Sequence, residues 1–193
     1  LSVFSDAYTD VTGVDYNPNW GQATVVTTES IAGNDVLKLA TLNYQGIDFV
    51  TNGSAQDVSG MDTLHIDFWT ADATAVNVAL ISTGPAETAY ALPISTGSWQ
   101  SVDIPLSSFS GVNLADVIQM KFDDNGTGEA ATIFIDNVYF YTNAAPATAP
   151  TVAATTPTAT GTLSVFSDAY TDVTGVDYNP NWGQATVVTT ESI

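Results

Sequence analysis

Nine residues in the middle of the chain, Asp62-Thr-Leu-His-Ile-Asp-Phe-Trp-Thr70, alternate apolar and polar side chains with a period of two. Successive Cβ atoms of extended backbone project to opposite faces, so Leu64, Ile66 and Phe68 face one way and His65, Asp67 and Trp69 the other. A helix would scatter both sets around its axis. The same alternation, rich in β-branched and aromatic residues, recurs in AVNVALIS (75–82), WQSVDIPL (99–106), DVIQMKFD (116–123) and ATIFIDNVYFY (131–141). Turn clusters bound these runs: STGP, STGS, SSFSG and DDNGTGE. Eight or more short strands at this spacing predict an all-β fold, a two-sheet antiparallel β-sandwich of jelly-roll type. Only SSFSGVNLADV (107–117) hints at a helical turn.

A second feature divides the chain. Leu1–Ile31 and Leu163–Ile193 are identical in sequence, and an Ala/Pro/Thr-rich stretch without charges separates the first 142 residues from the second copy. The expected organisation is a β-sandwich over 1–142, a linker over 143–162, and the start of a further identical repeat over 163–193. The linker has too little apolar surface to pack, and its composition suits an extended connector or an O-glycosylated stalk. The second copy holds at most two strands, which are marginal alone in water. It is either the opening of the next repeat or a donor of strands to a neighbouring domain.

Composition narrows the function. The chain carries 21 Asp and Glu against two Lys and no Arg, a formal net charge of −19. Phosphate recognition needs clustered cations, so nucleic acid is excluded as a partner and anionic membranes are disfavoured. No apolar run is long enough for a membrane helix, so insertion is not expected. Hydrophobic residues make up 45%, with 8 Phe, 8 Tyr and 4 Trp, enough for a packed core. Cysteine is absent, which removes disulfides, thiolate metal sites and a Cys nucleophile.

Catalysis finds little support. His65 is the only histidine and lies inside an alternating strand, and no G-x-S-x-G nucleophile elbow is present. A histidine satisfied by its strand neighbours is the simpler reading. Paired carboxylates for glycoside cleavage are uninformative among 21 acids. The segment SDAYTDVTGVDYNPN places Asp6, Asp10, Asp15, Asn17 and Asn19 together, all hard oxygen ligands of the kind calcium takes. The spacing is not that of an EF-hand, and the same residue types also build ordinary Asx turns.

The stretches SDAYTD, YNPNWGQ, LHIDFWT, GSWQSVDIPLSSF and TIFIDNVYFY together resemble the galactose-binding-like jelly-roll carbohydrate-binding modules of secreted polysaccharide-degrading enzymes, notably those of marine Bacteroidetes. The likeness runs from Leu1 to about Tyr141. It implies a non-catalytic, extracellular or cell-surface module whose partner is a polysaccharide, and a structural Ca2+ held by Asp136 with Asp6 or Asp10. Sugar binding requires an exposed flat aromatic for the apolar face of a pyranose, with amides or carboxylates for its hydroxyls. Trp20 is the leading candidate, in a polar loop where Pro18 and Gly21 argue against a buried strand and Gln22 supplies an amide. Tyr16, Tyr44 with Gln45, Trp69, and Tyr90 with Glu87 extend the set, each with core packing as its competing role. The resemblance assigns Trp99 to packing. A second reading, favoured by the identical repeat, makes the chain a building block of an extracellular filament or adhesin, whose partners are neighbouring copies of itself.

Overall fold

The computed structural model describes residues 1–143, 156, 158–180, 182, 185, 186, 188 and 189. Most of the Ala/Pro/Thr linker therefore lies outside the described residues. Two compact units are present, Leu1–Ala144 and Ala145–Ile193.

The first unit is built from ten strands: β1 (Ser2–Phe4), β2 (Val25–Ile31), β3 (Asn34–Ala40), β4 (Tyr44–Asp48), β5 (Thr63–Thr70), β6 (Asn77–Ser82), β7 (Ala86–Ala91), β8 (Gln100–Pro105), β9 (Val117–Asp123) and β10 (Ile133–Tyr141). They form two antiparallel sheets. One has the order β2-β3-β10-β5-β8 with β1 also paired to β10; the other has the order β4-β9-β6-β7. The all-β sandwich expected from the alternation is present, and the helical hint reduces to one 3-10 turn, Leu106–Ser108. Among the described residues no helix is long and apolar enough to cross a membrane.

The period-two pattern places the core. Leu64, Ile66 and Phe68 of β5 are fully buried, as are Ile133, Ile135, Val138 and Phe140 of β10, and they meet Val78, Leu80, Met120 and Phe122 from the opposing sheet. Each fully buried side chain of this size contributes about 1.5–3 kcal/mol relative to exposure, so the facing sheets are the main source of stability.

β10 connects the chain's first residues to this core. Ile133–Ile135 pair with β3, and Val138 and Tyr139 pair with β1 along the same edge. At the handover Asn137 adopts φ 47, and the ladder shifts register between Asp136 and Tyr139. An extra residue with left-handed backbone is what a bulge needs, and Asn tolerates that conformation better than most side chains. Its amide donates to Asp67 (2.8 Å), while Ser5 Oγ donates to its carbonyl oxygen (2.7 Å).

Between β1 and β2 a long loop crosses from one sheet to the other. Tyr16 hydroxyl donates to Val3 carbonyl (2.6 Å), and the Tyr16 ring meets Phe4 edge-on at 5.6 Å. Burial, and next the Asp10 carboxylate, push the Tyr16 hydroxyl up to about 12, so it remains a donor. Further on, Asp15 and Asp48 exchange backbone hydrogen bonds, both 2.8 Å, tying the loop to the end of β4. Gly13 is needed at this crossing: its φ is +80, and a Cβ there would stand 2.3 Å from Asn52 carbonyl oxygen.

Asp48 braces that clamp. Its carboxylate accepts from the N–H groups of Val50 (2.8 Å) and Thr51 (2.7 Å) and from Gln119 Nε2 (2.8 Å). Burial works against its ionisation, but the hydrogen bonds from Gln119, Thr51 and Val50 outweigh it and hold the carboxyl below 3.8. A depressed folded-state value means stability present above the unfolded pKa and lost as pH falls through the folded one. Asp48→Asn is therefore expected to cost about 1–3 kcal/mol at neutral pH. It should also lessen the stability lost below about pH 4. Urea melts of both proteins at pH 7 and pH 3 check this, and equal acid sensitivity would contradict it.

Candidate functional site: the outer face of the four-stranded sheet

Register decides which side chains share the outer face of the smaller sheet. Tyr44, Asp123 and Asn77 form one row across β4, β9 and β6; Gly46, Lys121 and Ala79 form the next; Asp48, Gln119, Ile81 and Glu87 form a third. The intervening residues Ile47, Phe122, Met120, Val78 and Leu80 point into the core. Charged and amide groups thus line up on one surface because each alternates with a buried apolar neighbour.

Above this surface the clamped loop lays down an aromatic ring. Trp20 is half-buried over Gly46, close enough that a Cβ on Gly46 would come within 2.1 Å of the six-membered ring. Gln22 braces the loop from inside: its carbonyl accepts from Trp20 N–H (2.8 Å), and its amide donates to Pro18 carbonyl (2.7 Å) and Gln45 Oε1 (3.3 Å). Tyr44 hydroxyl donates to Trp20 carbonyl at 2.8 Å. The result is a cavity of 600 Å³ on the sheet face, lined among others by Trp20, Tyr44, Asn77, Glu87, Lys121 and Asp123.

Its polar groups are held in position. Lys121 Nζ donates to Glu87 (2.6 Å) and lies 3.6 Å from Asp123. Burial disfavours the ammonium, but the hydrogen bond and charge of Glu87 and the nearby Asp123 outweigh it and raise its pKa above 10.5. Asn77 amide donates to both Asp123 and Asn125, each at 3.0 Å, and Asn125 N–H returns a 2.9 Å bond to Asp123. A flat ring thus stands beside one cation, two carboxylates and three carboxamides, an apolar surface next to groups that donate and accept hydrogen bonds.

Of the residues singled out from sequence, Trp20, Tyr44 and Glu87 meet in this cavity. Gln22 supports the loop from beneath, and Gln45 is fully buried, donating to Tyr16 and Gly46 carbonyls. Tyr16 and Tyr90 pack against the core, Tyr90 near Phe109. Trp69 lies on the other sheet beside Phe134, at 5.6 Å. Lys121, Asp123, Asn77, Asn125 and the glycine floor were missed. The alternation in 116–123 puts Lys121 and Asp123 on one strand face, but only the register brings Asn77 and Glu87 beside them.

The acids considered for calcium each accept hydrogen bonds from neighbouring groups. Asp6 is exposed and accepts from Asp35 N–H (2.8 Å); Asp10 accepts from Ser2 hydroxyl (2.5 Å) and Ser5 N–H (3.3 Å); Asp136 is buried and accepts from Asn34 amide and Asn137 N–H, both 2.6 Å. Among the described residues no three acidic or histidine side chains converge as a cation shell. His65 lies between carboxylates, with Nδ1 2.6 Å from Asp103 and Nε2 3.3 Å from Asp67, and stacks on Tyr139 at 4.6 Å. Ser101 Oγ stands 3.4 Å from Nε2, a long contact that Asp67 shares, so the histidine is satisfied by its strand neighbours.

Known structures share this fold. An exo-β-agarase superposes with a TM-score of 0.57 at 15% identity over 74% of this chain, which spans only 25% of the agarase chain. A family 11 carbohydrate-binding module from Clostridium thermocellum, in complex with a β-1,3-1,4-mixed-linked tetrasaccharide, gives 0.50 at 17% identity, covering 72% of this chain and 94% of that one. A family 29 carbohydrate-binding module gives 0.50 at 14%, covering 72% and 82%. No curated protein matches the chain in sequence. The family model of carbohydrate binding domain 30 matches residues 2–142, the whole of the sandwich, and the chain belongs to that family.

Proposed function

We propose that the sandwich is a non-catalytic module of an extracellular protein that holds a β-linked polysaccharide on the outer face of the four-stranded sheet. The carrying observation is the Trp20 ring seated over Gly46 in the same cavity as Lys121, Asp123 and Asn77. The ring supplies the apolar surface on which a pyranose stacks, and the charged and amide groups bond its hydroxyls. The β-1,3-1,4-mixed-linked tetrasaccharide held by the family 11 module makes mixed-linkage β-glucan the first probe, and the exo-β-agarase makes agarose the second.

Affinity electrophoresis and calorimetry test the reading. Trp20→Ala should weaken binding at least tenfold, the scale of one lost aromatic contact of about 1.4 kcal/mol. Asp123→Ala should have a comparable effect through lost charge-assisted hydrogen bonds, at about 1.5–3 kcal/mol. Unchanged affinity in Trp20→Ala would sink the proposal. Gly46→Ala is a sharper check, because its methyl group would collide with the ring while the core residues stay as they are. It should abolish binding and shift Trp fluorescence with a small effect on melting.

A second reading, self-association, rests on the second unit taken by itself. It repeats the local bonds of the first copy: Val173 N–H donates to Ser164 carbonyl at 2.9 Å, as Val11 does to Ser2, and Phe166 meets Tyr178 at 5.6 Å, as Phe4 meets Tyr16. The two copies are identical in sequence, and that likeness is what favours contacts between neighbouring repeats. Sedimentation equilibrium should show concentration-dependent association for the whole chain and none for residues 1–143; monomers in both cases would remove this reading.

A further inference from the structure

The outer face of the six-stranded sheet carries a groove that the platform around Trp20 does not use. Alternation sends Trp69 of β5 and Phe134 of β10 outward, and their rings meet edge-to-face at 5.6 Å. Ile31, at the end of β2, and Trp99, in the loop before β8, stand over them, and these four residues enclose 180 Å³. Ile31 and Trp99 also wall an adjoining hollow of 290 Å³, which Asn34, Asp67, Gln100 and Asp136 help to line. The two hollows share Ile31 and Trp99 as walls, and the larger lies close to the lower end of the size range of ligand sites, roughly 300–1,000 Å³.

Exposure and chemistry distinguish this groove from ordinary packing. Trp99 is 46% exposed and Ile31 44%, more than a packing role for Trp99 requires. Asp136 and Asp67 are fixed by Asn34 (2.6 Å) and by Asn137 (2.8 Å), so their orientation is set before any ligand arrives. Asp136 also accepts from Asn137 N–H and Asp67 lies 3.3 Å from His65, yet each carboxylate, with about four lone-pair sites, keeps capacity to accept a hydroxyl. An apolar aromatic end joined to a rigid acceptor end repeats the combination of residue types seen around Trp20. A chain of net charge −19 repels anions, and beside the apolar rings a neutral, hydroxyl-rich ligand is the best complement.

We propose that this groove is a second glycan-binding site, on the opposite face of the sandwich from the first, so that one module holds two polysaccharide strands. The proposal rests on the reading of the chain as a glycan binder but depends on different residues. With the mixed-linkage β-glucan tetrasaccharide as probe, calorimetry should find two sites in the whole chain, one each in Trp20→Ala and Trp99→Ala, and none in the double variant. Ile31→Ser should weaken the groove about tenfold without touching the platform. With long mixed-linkage glucan the wild type should raise viscosity by bridging chains, and either single variant should not. A single site lost entirely in Trp20→Ala overturns the groove and leaves the platform standing. A single site lost only in Trp99→Ala does the reverse. A wild type that binds no sugar overturns both, and salt-sensitive capture of poly-lysine without a sugar response would assign the groove to a cationic peptide instead.

Discussion

The backbone pairing along β10 is what the rest of the first unit hangs on. This strand is bonded along both edges, to β5 on one side and to β3 and then β1 on the other. Its inward residues fill the core while its bulge at Asn137 makes room for the chain's first strand to replace β3 as partner. Without the bulge, β1 and β3 would compete for the same ladder positions, and the loop that follows β1 would start in the wrong place. Position then propagates outward: β1 fixes Val3, Val3 anchors Tyr16, and the Asp15–Asp48 exchange fixes the loop against the other sheet. Trp20 reaches its seat through that sequence of attachments.

The heavy acidity has a structural side that net charge alone does not reveal. Several carboxylates are turn acceptors. Asp48 takes the amides of Val50 and Thr51, Asp57 that of Ser59, Asp123 that of Asn125, and Asp124 those of Gly126 and Gly128. Hydrogen bonds favour the ionised form: the Ser59 hydroxyl, and next its N–H, lower the pKa of Asp57, and the Thr74 hydroxyl, and next its N–H, lower that of Glu129. A sandwich with short connections needs many such turns, and Asp supplies the acceptor within two or three residues of its own backbone. The acids of the Trp20 platform are a small subset, set apart by standing on a sheet face with Lys121 among them.

Both sheet faces bear aromatic rings, but they arise differently. On the smaller sheet the strands contribute a flat floor of small and polar residues, and the ring comes from a loop folded over it. On the larger sheet the strands contribute the rings themselves, Trp69 and Phe134, and loop and hairpin residues form the walls. Lys38 sits 5.6 Å over Phe134 and is paired to Glu29 at 2.8 Å, so the cation beside that ring is neutralised. The same architectural rule thus leaves two distinct outward surfaces.

The period-two runs of Leu64–Phe68 and Ile133–Phe140 were sufficient to read the sandwich from the chain, because alternation is a local property that any extended segment carries. The loop position of Trp20 was legible for a similar reason, since its Pro, Gly and amide neighbours mark a polar loop. Gln45 misled, because its polarity says nothing of the inward row that β4's register assigns it. Lys121, Asn77 and Asp123 gave no local sign of acting together, being far apart in the chain and adjacent only once β9 and β6 pair. Gly46 is the clearest case. Its importance comes from a tryptophan 26 residues away in sequence settling on its bare Cα. Local periodicity determined the class of fold and the face of each strand, whereas cross-strand register and the path of one loop, both products of long-range contacts, decided where the site is.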